Sequence, residues 1–333
     1  MSCKYSFFLV LVSILFFCCS PDKDKMPDVS HIEEQLTVRR FEKDFLANTN
    51  PDLELLKADY PFFWEVYFSG IMAEYSETDT FSDADAMELH ANPYLRDLLD
   101  TCLRVFPDLD FLEKDIRKAL RYYMFHTGDK NPKTLVSFIS EFGVGACTIG
   151  DDTLGIGIDM FLGSDFSAYD PTIFPAFIRA QMRPEYMAPQ LMKALAQNIL
   201  PPFKGDRMID FMIYNGKVLY LLDLFMPWTD KAIKMEYTEE QMDWVSNNES
   251  KIWNHFVSRE LLYSTRRQEF QKLIGPSPNA PNMPAEAPGQ TANYIGWQIV
   301  KAFQKKNPEL TLADLIALED PLKILEGARY RPR

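Results

Sequence analysis

Between Thr134 and Leu200 the spacing of apolar positions changes from a period of two to a period near four. Leu154, Ile156, Ile158 and Met160 alternate with Gly155, Gly157 and Asp159, which predicts a half-buried strand over Leu154–Met160. Glycines weaken a strand, so Gly155 and Gly157 mark a place where another backbone comes close. Asp151-Asp152 predicts the turn joining this strand to one over Val144–Ile149. Met187, Leu191, Leu195 and Ile199 then recur at steps of four, a stripe fit to cover a sheet. Strands followed by a covering helix predict an α+β core.

The rest of the chain is mostly helical by the same reasoning. Gln35–Phe41 reads as a first strand, with Leu36 and Val38 on one side. Asn50-Pro51 and Asn92-Pro93 open helices, the second running to Phe106, because proline is tolerated at the first helical position. Pro61–Phe68 is strongly aromatic and reads as a buried helix; residues 73–85 are an acidic surface loop. Asp110 and Glu113 form a capping-box pattern ahead of a helix to His126 and Gly128. Leu112, Ile116, Leu120 and Tyr123 face inward on it; Lys114, Arg117, Lys118 and Arg121 form a solvated face. Arg207–Tyr214 and Lys217–Met226 flank Asn215-Gly216, a hairpin signal, but their length favours one buried helix. Thr238 with Gln241 predicts another capping box, and Ile252, Trp253, Phe256, Val257 and Leu261 an amphipathic helix. Gly275–Gly289 holds five prolines and predicts a long surface loop. Thr291 is expected to cap a helix with the arc Ile295, Ile299, Val300 and Phe303, Trp297 and Lys301 lying off it. Thr311 and Asp314 start the next helix, and Gly327 ends the last. The pattern adds up to a helix-rich single α+β domain with a small, mainly antiparallel sheet.

Composition narrows the setting. The 333 residues are 47% hydrophobic, enough for a substantial core, and carry a net charge of −13. That charge argues against a nucleic-acid protein and against a basic membrane-surface helix. Lys4 precedes an apolar run of secretory-leader length that stops at Cys18-Cys19 and a charged stretch, Ser20–Lys25. A cysteine at that place is the pattern of a bacterial lipoprotein, whose new terminal thiol takes a diacylglycerol. Cys19 is the expected lipidation site, with Cys18 as the alternative. The organisation is then a signal peptide over 1–18, a tether over 19–35 and one domain over 36–333. Cys102 and Cys147 remain; an exported compartment permits a disulfide between them, but Cys102 fits a buried free thiol on a helix with Leu95, Leu98 and Leu99, which is favoured.

A sheet followed by a helix bearing Glu185 invites a comparison with zinc peptidases, whose helix carries His-Glu-x-x-His. Here the glutamate stands, but Pro184 and Ala188 occupy the imidazole positions and Asn215 the place of a third ligand. The expected fold is zincin-like without metal ligands. His31, His90, His126 and His255 have no ligand spacing among them, whereas a catalytic zinc takes three protein ligands. No nucleophile elbow or P-loop occurs, so no cofactor and no catalytic residue are assigned. Arg179, Arg183, Glu185, Tyr214, Lys217 and Trp297 lie off the apolar stripes. They are either a polar binding cleft or ion pairs that fix the core, and the ion pairs are favoured.

Five stretches carry a family likeness: GIGIDMFLGSD at 155–165, FIRAQMRPEYM at 177–187, MIYNGKVLYLLDLFMP at 212–227, APGQTANYIGWQIVKAF at 287–303 and ILEGARYRP at 324–332. The sequence resembles the gliding-motility lipoprotein GldB family through them, over nearly the whole mature chain. The resemblance implies a lipid-anchored envelope component of the gliding-motility and associated secretion machinery, expected at the outer membrane facing the periplasm. It implies binding to other motility or secretion proteins of the envelope, not catalysis and not nucleic acid. The alternatives are an envelope hydrolase related to degenerate zincin-like peptidases, or a lipoprotein that binds a small molecule.

Overall fold

The computed structural model describes residues 26–73 and 81–332. The leader, Cys18, Cys19 and the first part of the expected tether lie outside them, as does most of the acidic loop. After strand β1 (Thr37–Arg40) the chain makes α1 (Leu53–Asp59), α2 (Pro61–Val66), α3 (Asp83–Ala91), α4 (Pro93–Val105) and α5 (Asp110–Thr127). It then lays down β2 (Thr134–Phe138), β3 (Ala146–Ile149) and β4 (Thr153–Gly157). The rest is helical: α6 (Ala176–Arg179), α7 (Met187–Ile199), α8 (Met208–Phe225), α9 (Lys231–Met235) and α10 (Glu239–Asn247). There follow α11 (Glu249–Ser258), α12 (Arg267–Ile274), α13 (Thr291–Lys306), α14 (Leu312–Ala317) and α15 (Pro321–Ala328).

The α+β architecture expected from the pattern is present, but the sheet is mixed rather than mainly antiparallel. Its order is β1-β2-β4-β3. The pairs β1–β2 and β2–β4 are parallel; β3–β4 alone is antiparallel. The reason is connection length. Five helices intervene between β1 and β2, long enough to return the chain for a parallel pair, whereas β3 and β4 are joined by a tight turn. That turn spans Asp151-Asp152, with Gly150 at φ 58°.

The strand read over Leu154–Met160 ends at Gly157 and becomes a 3-10 turn over Ile158–Phe161. Asp159 causes the change. Its fully buried carboxylate accepts the Ser140 N–H at 3.0 Å and the Phe142 N–H at 2.7 Å. Those bonds draw the chain towards the loop after β2, where Glu141 and Phe142 are left-handed. The glycines do mark close approach. A Cβ on Gly157 would lie 2.0 Å from the Val144 carbonyl oxygen, and one on Gly155 would lie 2.7 Å from Cys147 Sγ.

Phe41 gathers the aromatic side chains of the first helices, with ring centres 4.8 Å from both Phe63 and Tyr67. Phe63 carries this cluster onto the sheet at Phe138. Helix α7 packs against β3 and β4, with Met187, Leu191 and Leu195 buried. Helix α8 is apolar nearly all round and is buried accordingly. Asn215-Gly216 lies inside it, so the hairpin signal gave way to length. Gly216 faces Gly296 of α13: a Cβ on Gly296 would sit 1.8 Å from the Met212 carbonyl oxygen.

Several local expectations change. Asp110 is the first residue of α5, whose N-cap Leu109 makes no side-chain cap. Thr291 likewise begins α13 after a left-handed Gln290. Trp297, read as off the apolar arc, is fully buried and donates its ring N–H to Asp223 at 2.8 Å. The described part of the expected tether is fastened to the domain. Val29 is buried, Glu34 accepts from Arg121 at 3.1 Å, and Arg117 donates to the Leu36 carbonyl at 2.6 Å.

Candidate binding cleft

A cavity of about 410 Å³ opens between residues 177–186, residues 230–241 and the proline-rich loop. Its first wall exists because Pro184 cannot extend the preceding backbone into an α-helix and instead opens a 3-10 turn over Pro184–Tyr186, ahead of α7. Arg183, extended just before that turn, donates to the Ala180 carbonyl at 2.9 Å and pairs with Glu185 at 3.0 Å. Both side chains remain nearly half exposed at the rim.

The second wall is α9 and the chain after it. Asp230 caps α9 by accepting the Ala232 N–H at 2.6 Å, and the helix ends at Glu236 in the left-handed region. Glu236 pairs with Lys193 of α7 at 2.7 Å. The third wall is the proline-rich loop, and it is braced. The Tyr237 hydroxyl donates to the Gly289 carbonyl at 2.5 Å, Ala280 N–H to Ala287 O at 2.8 Å, and Gln290 N–H to Lys272 O at 3.1 Å. Burial pushes the Tyr237 hydroxyl well above its ordinary range. A second hollow of about 180 Å³ shares Glu236, Pro276 and Gln290 with the first and runs inward to Asn215 and Asn293.

A family model described as gliding motility protein GldB matches residues 22–332. The chain belongs to the GldB family. No curated protein and no solved structure matches it. Among the described residues of this GldB-family chain no helix is long and apolar enough to cross a membrane.

The six residues singled out in the sequence are distributed over separate places. Arg183 and Glu185 line the cavity of about 410 Å³. Tyr214 and Lys217 line a shallower one of about 50 Å³ with Phe203 and Glu319. Lys217 donates to the Leu318 carbonyl at 2.6 Å, and burial lowers its amine to about 8. Trp297 is in the core, where Asp223 also pairs with Lys234 at 2.9 Å. Arg179 closes α6, and its buried Nε has no hydrogen-bond partner among the described residues. Of the core-fixing ion pairs favoured from the sequence, Arg183 and Glu185 do pair but at the exposed rim, and Lys217 bonds backbone carbonyls rather than an aspartate; the buried Lys–Asp pair is made by Lys234 and Asp223. The sequence reading missed Glu236 and Gln290, which stand between the two hollows. A left-handed helix end and a braced loop bring them there, and neither leaves a periodic signal.

The positions compared with zinc peptidases are occupied by packing. Ala188 is buried, and Asn215 donates to the Asn293 side chain at 2.8 Å. Asn293 in turn donates to the Ile274 carbonyl at 2.9 Å. Among the described residues no group of three or more His, Cys, Asp or Glu is placed to hold a metal ion. Cys102 and Cys147 are free thiols, and burial pushes Cys147 up to about 11.

Proposed function

We propose that this GldB-family protein is an envelope-anchored lipoprotein that serves the gliding-motility and associated secretion machinery by binding other envelope proteins. The lipid is carried by Cys19, with Cys18 as the alternative, and the domain faces the periplasm from the outer membrane. The preformed cleft is the binding surface. One observation carries this reading: the cleft is framed by groups fixed to one another, Arg183 to Glu185, Lys193 to Glu236 and the Tyr237 hydroxyl to the Gly289 carbonyl. A recognition surface needs a fixed shape, which the Tyr237–Gly289 bond supplies to the loop wall. Asp230, Glu236, Glu239 and Glu185 outnumber Arg183 along the lining, so a polar segment with basic side chains suits it.

The test is affinity capture of the tagged, lipidated protein from envelopes, run beside a Glu185→Lys/Glu239→Lys variant. Partners captured by the parent and lost by the variant are expected. An unchanged set of partners, or stoichiometric zinc lost together with an enzymatic activity on Glu185→Ala, overturns the reading. Cys19→Ser is expected to abolish lipid labelling; if only Cys18→Ser does so, the alternative site is correct.

A further inference from the structure

The last turns of α13 and residues 329–332 enclose an open hollow of about 730 Å³. Among the described residues, Lys301, Lys305, Lys306, Arg329 and Arg331 line it, against a single carboxylate, Glu249. That is the reverse of the chain as a whole, where 48 acidic residues stand against 35 basic ones. The hollow shares no lining residue with the cleft.

Local folding accounts for part of the cluster. Lys306 donates to the Ala328 and Arg329 carbonyls at 2.5 and 3.0 Å, which closes the end of α15. Lys301 lies 4.8 Å from the centre of the Trp297 ring and 3.8 Å from Asp223, and Asp223 is itself matched by the buried Lys234 at 2.9 Å. Glu249 is committed as well. One of its oxygens accepts the Tyr294 hydroxyl at 3.0 Å and the other the Tyr330 hydroxyl at 2.7 Å. That leaves Lys305, Arg329 and Arg331, all exposed and without a side-chain hydrogen bond or salt bridge among the described residues. Glu309 and Glu326 are exposed carboxylates, three residues along the chain from Lys306 and Arg329, but neither lines the hollow or pairs with a cation of it. Even counted with Glu249 they leave the cations in excess, five to three.

The uncommitted charge suits an anion whose own charge is spread along a chain. Lys301 and Lys305 stand one turn apart, about 6 Å along α13. Carboxylates on alternate residues of an extended segment recur about every 7 Å. Arg329 and Arg331 add planar forks that take a carboxylate two oxygens at a time. A bilayer matches the site less well. The hollow is concave, and no large apolar side chain of its lining is exposed: the Tyr330 ring is held against Trp253, with centres 5.3 Å apart. We infer that this hollow is a second docking site, which takes an acidic peptide segment of a partner protein, with Lys305, Arg329 and Arg331 gripping its carboxylates. The lining of the cleft is predominantly acidic, so the two sites take different segments.

The experiment places the full lipidated protein in zwitterionic micelles and titrates it into a labelled peptide of alternating glutamate and serine, read by fluorescence anisotropy. Saturable binding that weakens as salt rises is expected, and none to the glutamine counterpart of the peptide. Lys305→Glu/Arg331→Glu should weaken binding about tenfold or more, with urea unfolding showing the variant folded. Lys114→Glu/Lys118→Glu makes the same change in net charge on α5 and should alter binding by no more than about twofold. Glu185→Lys/Glu239→Lys, in the cleft, should not weaken it, so failure of the cleft reading and failure of this one are told apart. Absence of peptide binding, or an equal loss in the α5 variant, overturns the proposal. So does binding no tighter than that of tripolyphosphate, which would make the hollow a general anion site. Binding of phosphatidylglycerol vesicles in place of the peptide, lost in Lys305→Glu/Arg331→Glu, overturns it in favour of a membrane contact.

Discussion

Replacing Gly296 with alanine tests the contact on which the helical half depends. The added Cβ would lie 1.8 Å from the Met212 carbonyl oxygen and 2.7 Å from its carbonyl carbon. These are backbone atoms of a buried helix, so no side-chain rotation relieves the clash. Restoring ordinary contact requires α8 and α13 to part by roughly 1.5 Å, a large step between helices normally packed 8–10 Å apart. Overpacking of this kind costs about 1–3 kcal/mol where neighbours can adjust, and here the upper end applies. The parting also loosens Met212, Ile295, Ile299 and Val300, all buried along the seam, which adds a cavity term. Alanine favours a helix interior over glycine by about 1 kcal/mol. The net expectation is a loss of about 2–4 kcal/mol, or roughly 5–10 °C in melting temperature. Urea unfolding at equilibrium measures it, with the slope unchanged. Gly70 is the control, since a Cβ there meets nothing within 4 Å. If Gly296→Ala is as stable as the parent, or gains the helical increment as Gly70→Ala should, the two helices are not in backbone contact and the packing argument is wrong.

Tyr237→Phe should remove about 1 kcal/mol by leaving the buried Gly289 carbonyl without its donor, and should speed protease cleavage within the proline-rich loop. Asp159, raised by burial to about 6 from its ordinary 3.8, contributes its stability fully below 3.8 and loses it as pH climbs through 6. A carboxyl NMR titration with a midpoint below 4 would contradict that assignment. Lys217 is depressed by burial from 10.5 to about 8, so the unfolded chain binds the extra proton between those values and stability should rise with pH across that window. Urea midpoints at both ends should show the rise in the parent and not in Lys217→Met. Cys147, pushed up to about 11, should alkylate slowly in the native protein at neutral pH, and Cys102 more slowly still; full labelling of either within the time taken by unfolded protein would refute their burial.

What the sequence made legible follows from periodicity. Helices with one apolar stripe, such as α5 and α7, and capping pairs such as Thr238–Gln241 and Thr311–Asp314 stand where the pattern put them. The strand alternation led correctly to β4, and its glycines to a close backbone approach. Strand direction was not legible, because it depends on how α1–α5 return the chain to the sheet. Nor was the end of β4, which depends on Asp159 bonding amides beyond β2. The capping-box reading at Asp110 failed for a related reason. A carboxylate at the first helical position favours the helix N-terminus by charge alone and need not cap it.

The candidate cleft was the least legible part, and α8 shows why. Sorting residues into an apolar stripe and an off-stripe remainder assumes that the remainder faces solvent. Helix α8 is packed by α7, α13, α12 and α15, so its polar residues face other helices. Tyr214 and Lys217 thus meet the chain around Phe203 and Leu318, and Asn215 meets Asn293. On α13 the same assumption exiled Trp297, whose ring nitrogen finds Asp223 inside. The cleft instead forms where helices stop: before α7, at the end of α9 and along the braced loop before α13. Helix ends leave backbone and side-chain groups free to frame a hollow without breaking a ladder of hydrogen bonds. That placement also bears on chemistry. A metal site of the peptidase kind would need imidazoles at 184 and 188, but Pro184 opens the turn on which Glu185 sits, and Ala188 is packed into the core. Placing imidazoles there would replace the proline that opens the 3-10 turn and fill the packed position of Ala188, so the two residues that depart from the peptidase motif are also two that shape this wall of the cleft.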